Sequence, residues 1–375
     1  MNIVNATERF IFTASLWKLV SIILFIILLK TGVWYMPNLG GSLSVALDPF
    51  ISHPESGYLM WNWLSPFLAW ALGVKSFASF FLVHLLFSIM FTATYVYIIC
   101  DRLSERAARV SLIFFAVLPF SATSYFWVGG DSLTLLLMML SFAFSRYLPA
   151  VFAIGFALGM QHFEQSIVAS LLLIFALFLN RNNSFKTSVG IMYPIILALG
   201  VSVGKIALNY IFEWNDVVVE GGRDKWVLNN ASQLFESFFF HAHYIVFSIL
   251  GVGWLIALKY AEYGRNSVSF FIPFSSLIIL SLFVADQTRV LSIVMLLLVS
   301  YYWLFNESFL NSITNKYTTL IFLLWIVVPW FWVWVGDPRG SAMPYDIVYI
   351  LNKTFGWFGS HQINELWPFR PLWPI

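Results

Sequence analysis

Seven ionisable side chains fall in or beside breaks between apolar segments: Asp48, Glu55, Asp131, His162, Glu164, Asp286 and Arg289. Asp48, in ALDPF, is a carboxylate between apolar neighbours with Pro49 fixing the turn. Partial burial would suit it to take a proton from a hydroxyl. The competing reading is an Asx turn or helix cap, since Asp-Pro is common at turns. Glu55 follows seven residues on, with His53, Tyr58, Trp61 and Trp63 close by. In WVGGDSLT, Gly129-Gly130 lets the chain reverse closely. Asp131 or Ser132 can then cap a helix whose N-terminus attracts anions. In GMQHFEQS, His162 and Glu164 are two apart and would not share a helix face, which argues against a metal pair built from these two alone. Glu164 is placed either to accept a hydrogen bond from a substrate hydroxyl or to pair with Arg289. In ADQTRV, Arg289 is the residue suited to bidentate phosphate contact, with Arg223 or Lys225 as a second cation. A structural Asp286–Arg289 pair is the alternative. Lys205, His241 and His243 receive no firm role.

The elements that must position these groups are membrane helices. Of 375 residues, 60% are hydrophobic and only 10% charged, and the mean hydropathy is +0.82. A soluble domain carries roughly 25% charged residues, so this chain cannot cover a water-facing globule with polar surface. It reads as an all-α, polytopic membrane protein in one domain, with lipid as its surroundings and no nucleic-acid partner. The single cysteine, Cys100, excludes an internal disulfide and a cysteine-built metal site. With about 20 apolar residues per crossing, the pattern predicts about eleven spans: 10–29, 76–100, 110–128, 132–144, 148–160, 166–179, 188–212, 238–258, 268–285, 290–305 and 317–335. A large first loop (31–74), a second polar loop (213–237) and a tail (336–375) rich in Trp and Pro at its end complete the chain. Lys and Arg favour one set of loops, which places the N-terminus in the cytoplasm. All seven ionisable residues then meet at the opposite, periplasmic face of a cell inner membrane. Charges near membrane depth usually face a cavity or each other, so their convergence points to one polar site.

No Walker motif, dinucleotide fingerprint, HExxH or Gly-x-Ser-x-Gly occurs. A phosphorylated substrate at the outer face is most simply a lipid-linked phosphate. The order of features is an acid in the first outer loop, then YLMWNWLSPFLAWALG (58–73), GGDSLTLLLMMLSF (129–142) and GFALGMQHFEQS (155–166). It resembles the GT-C superfamily of polyprenyl-phosphate-sugar-dependent glycosyltransferases, nearest to the GPI mannosyltransferase I group and its bacterial relatives. The resemblance covers roughly residues 40–180. It implies inverting transfer from a polyprenyl-phosphate sugar to a glycan, lipid or protein acceptor, with the first-loop acid as base. That role falls on Asp48; many relatives carry two neighbouring acids there, so Glu55 competes for it. In this scheme Arg289 holds the leaving phosphate, Asp131, His162 and Glu164 line the sugar, and Tyr58, Trp61 and Trp63 line the ring or lipid path. No cofactor is required, although two or three of these acids are of the type that holds a divalent metal. Two other classes compete: a polymerase or ligase of lipid-linked glycans, leaning on Arg223 and the 213–237 loop, and a lipid or sugar transporter using the acids as a proton relay.

Overall fold

The computed structural model describes residues 2–35, 39–54, 57–179, 190–219, 223–263 and 267–340. Apart from two short strand pairs, its elements are helical, as the all-α reading expects. Local contacts fix the relative directions of several of these helices. α1 (Ile3–Thr13) leads into α2 (Leu16–Thr31), which is capped by Ser15 and closed by Gly32 in the left-handed region. Trp34–Tyr35 (β1) then begins the first loop, whose helices are α3 (Leu39–Leu47), α4 (Gly57–Met60) and α5 (Leu64–Ala71). α6 (Phe77–Arg102) starts from a Ser76/Ser79 capping box. α7 (Glu105–Val117) and α8 (Pro119–Phe126) are bent by 55°, because Pro119 has no N–H to continue the ladder. Trp127–Val128 (β2) pairs in parallel with β1, tying the start of the first loop to the end of α8. α9 (Gly130–Ala143) follows alongside α6: Ser88 Oγ donates to Ser132 Oγ at 2.8 Å, and further along Arg102 reaches the Ala143 carbonyl at 2.6 Å.

α10 (Leu148–Leu179) is broken at His162, whose φ/ψ of −157°/81° are not helical. Its first leg runs parallel to α11 (Met192–Trp214), Gly155 facing Gly200 and Gly159 facing Gly204. α11 starts where α9 ends, since Tyr193 Oη and Ser141 Oγ are 2.7 Å apart. At the break, Gln161 Nε2 donates to the Gly130 carbonyl at 2.7 Å, the opposite end of α9. By Ala176 the chain has returned, for that carbonyl accepts from Tyr302 at 3.1 Å. Phe305, three residues on, lies against Phe142 near the end of α9. The expected segments 148–160 and 166–179 are thus two legs of one helix folded back at His162, and the expected loop 161–165 shrinks to a break at that residue.

The remaining helices are α12 (Arg223–Leu250), α13 (Trp254–Tyr263), α14 (Ser267–Leu280), α15 (Gln287–Val299), α16 (Glu307–Ser312) and α17 (Asn315–Val327). Among the described residues, and by length and composition with the folded α10 counted as one, five helices are long and apolar enough to cross a membrane, or six if the bent α7–α8 pair is one span. The expected last span, 317–335, stops short. α17 ends at Val327, Val328 is extended ahead of Pro329, and residues 331–334 (β3) and 337–340 (β4) form an antiparallel hairpin instead. The residue before a proline is driven out of the helical region, which accounts for the stop. Val335 and Gly336, both at positive φ, make the two-residue turn.

Lys30 shows how the apolar interior handles charge. It is buried, and its Nζ donates to the carbonyls of Trp325 (2.8 Å) and Val328 (2.7 Å), which the end of α17 leaves without helical partners. Lys30→Met strands both carbonyls, and we expect a loss of about 1–3 kcal/mol, read as a lower melting temperature of the detergent-purified protein.

A candidate polar site at one end of the bundle

α9 opens on Gly130, where an added Cβ would meet Ser65 Oγ at 3.2 Å, Asn62 Cβ at 3.3 Å and Gln161 Nε2 at 3.3 Å. Glycine therefore lets the first loop sit directly on the start of α9. Gln161 locks the arrangement: its Oε1 accepts from the Ser65 backbone N–H at 2.8 Å while its Nε2 binds Gly130. Gln161→Leu breaks both links at once. Its expected effect is faster proteolytic cleavage within the first loop, with the helical content unchanged by circular dichroism.

Asp131, in the first turn of α9, faces Arg289 from α15, with Oδ2 and Nη1 3.0 Å apart. Arg289 Nε also approaches Asp286 Oδ2 at 2.5 Å. The three side chains are only 2%, 4% and 8% exposed for Asp131, Asp286 and Arg289. Charges at these distances are in contact, yet neither pair is aligned for a hydrogen bond, so the carboxylates retain unused lone pairs. The Trp332 indole N–H donates to the other oxygen of Asp286. The β3–β4 hairpin holds that indole in place. Val333 N–H donates to Thr288 Oγ1 at 3.0 Å, Val335 N–H to the Ala285 carbonyl at 2.7 Å, and Gly336 packs against His241 of α12. Burial pushes the Asp286 carboxyl above its ordinary range, against the opposing pull of Arg289 and the Trp332 hydrogen bond.

The break at His162 changes the geometry expected from helical spacing. His162 Nδ1 lies 3.8 Å from Glu164 Oε2, so residues two apart do meet, because the helix does not continue through them. Glu164 thus has His162 as a close neighbour, within its own break. Compared with known proteins, the chain matches no family model, no curated relative and no solved structure.

The other expected site residues are distributed as follows. Asp48 is exposed rather than partly buried, and its Oδ1 accepts from the Phe50 backbone N–H at 3.2 Å, an Asx turn at the end of α3. Trp63 is 1% exposed and donates to the Pro49 carbonyl at 2.8 Å. It stacks on Phe67 (4.6 Å) and meets Phe212 edge-on (5.9 Å). Trp63 therefore fills the core of the first loop instead of lining an open path. Trp61 is half-buried, and Tyr58 lies on α4. Arg223 and Lys225 fall in the first turn of α12. Glu55 lies outside the described residues, as does the tail from residue 341. Arg289, expected as a phosphate ligand, is engaged by two carboxylates, the structural pairing that was its alternative. Spacing did not single out Gln161, Gln165, Gln287 or Trp332. Glutamine next to a chain break within an apolar run is the one signal that marks the first two.

Proposed function

We propose that the chain is an inverting membrane glycosyltransferase, moving a sugar from a polyprenyl-phosphate donor to an acceptor hydroxyl at the periplasmic face of an inner membrane. The single observation that supports this reading most is the docking of the acid-bearing first loop on Gly130 and Gln161, one residue along the chain from the Asp131 of the Asp131–Arg289–Asp286 cluster. The chain would cross the membrane about eleven times with the N-terminus in the cytoplasm.

In this reading Asp48, on its exposed turn, takes the proton of the acceptor hydroxyl. The acceptor oxygen attacks the anomeric carbon as the bond from that carbon to the phosphate oxygen breaks, and the electron pair leaves with the phosphate. The Nη1 and Nε of Arg289 already face carboxylates. It therefore serves to position Asp131 and Asp286, and the phosphate falls to Arg223 and Lys225. The exposed turn suits a base that must meet an incoming acceptor, while Glu55 remains its competitor. No metal enters this scheme. Asp48→Asn is expected to lower transfer from a synthetic lipid-phosphate sugar about 100-fold or more, the usual contribution of a general base. Loss in Glu55→Gln with full activity in Asp48→Asn moves the base to Glu55; full activity in both variants removes the first loop from the chemistry.

The buried triad supports a second reading. Two carboxylates and one guanidinium sum to −1 when all are ionised, an arrangement suited to carrying a proton in a transporter. Counterflow of a lipid-linked sugar in sealed vesicles, without covalent product, would favour it.

A further inference from the structure

Gln165 and Gln287 are 3% and 1% exposed, and in neither does the amide oxygen or nitrogen have a hydrogen-bond partner among the described residues. Asp131 Oδ1 and Thr134 Oγ1, one turn apart on α9, are equally unmet. Each buried polar group left this way costs about 1–3 kcal/mol, and native interiors keep very few of them. These four residues sit on three elements that meet at one junction. Gln161 is bonded to Gly130, and Asp131 touches Arg289, so the start of α9, the break in α10 and the start of α15 are pinned together. Gln165 stands four residues from the first of these contacts, Gln287 two from the second.

We infer that this junction binds the neutral, polyhydroxylated ring of a substrate, taking it against Gln165, Gln287, Thr134 and Asp131 Oδ1. An amide carries both donors and an acceptor, which suits vicinal hydroxyls that each donate and accept. The adjoining triad, at −1 when ionised, repels an anion, so the phosphate of a sugar phosphate stays outside the junction. The choice of a sugar as the ring rests on the glycosyltransferase reading; the unmet amides do not.

Gln165→Leu, Gln287→Leu and the double variant test it. Replacing an unmet amide by an apolar side chain of similar size leaves folding intact or improves it, so a loss of binding is not confounded by misfolding. The probes are farnesyl phosphate, bare and carrying mannose, glucose or galactose. In the wild-type protein at least one hexose is expected to tighten binding over the bare phosphate by about tenfold or more. That gain vanishes in the double variant, while bare farnesyl phosphate binds both proteins equally. The inference is overturned if no hexose tightens binding to the wild type, or if the gain survives the double replacement. Parallel turnover assays separate the two claims. Transfer by the wild type with a surviving gain defeats the junction alone. A gain that the double variant loses, without transfer by the wild type, supports the junction and defeats the transferase.

Discussion

Arg289→Met is expected to leave little folded protein, and adding Asp131→Asn and Asp286→Asn is expected to restore most of it. Removing the guanidinium strands two carboxylates that are 2% and 4% exposed. Breaking a buried ion pair from one side costs about 3–5 kcal/mol, whereas neutralising every member is often close to free. That cost is a large part of the 5–15 kcal/mol that holds a typical domain together. The measurement is the monodisperse fraction on size exclusion and the melting temperature of the three-residue variant against the single one. If the single variant melts with the wild type, Arg289 is not holding the two acids, and the phosphate role returns to it. If the triple variant is as poor as the single one, the Arg289 side chain contributes packing rather than charge.

The second large effect lies away from the site, in the contact that sets the α10 break at its height. An added Cβ at Gly159 would stand 2.1 Å from the Val201 carbonyl oxygen, and at Gly204 2.0 Å from that of Phe156. Both obstacles are backbone, so no rotamer change relieves them. Gly204→Val and Gly159→Val are expected to force α10 and α11 apart and to cost at least the ~1–3 kcal/mol of an overpacked core. Gly40→Ala is the control: it sits in α3 with nothing within 4 Å of the added carbon. A folded, equally stable Gly204→Val protein would mean that the two helices do not pack along this stripe. Separation of the two helices also tilts Gln161 off Gly130, so these variants should lose the first-loop clamp before they lose helix content.

The helical class was readable from the long unbroken apolar runs of a chain with one charged residue in ten, since a barrel, the other way to satisfy a backbone in lipid, alternates apolar and polar residues. The segment between 145 and 179 shows where such reading stops. Hydropathy marks two short apolar runs around GMQHFEQS, but it does not say that a single residue, His162, turns one into the other. That same break lets His162 reach Glu164 against the helical-spacing rule. Asp131 and Arg289 were legible as a convergence of loops at one face. Their partnership was not, since Arg289 had as good a claim on phosphate as on carboxylate until the third member was placed. Trp332 was hidden by its neighbourhood: within VVPWFWVWV it reads as one more apolar residue of a last span. Only the stop before Pro329 and the turn at Val335-Gly336 bring its indole to Asp286. The burial expected for Asp48 failed for a local reason, because the Asp-Pro turn carries its carboxylate onto the Phe50 amide at the loop surface.

The central claim is covalent sugar transfer at this end of the bundle. Its most direct test is the purified protein in vesicles loaded on one side with a radiolabelled polyprenyl-phosphate hexose and a mixed pool of glycan, lipid and peptide acceptors. The account predicts label in a new glycoside, with the anomeric configuration inverted relative to the donor and with product absent for Asp48→Asn. Label that crosses the vesicle still attached to its lipid phosphate, with no glycoside formed, would contradict it.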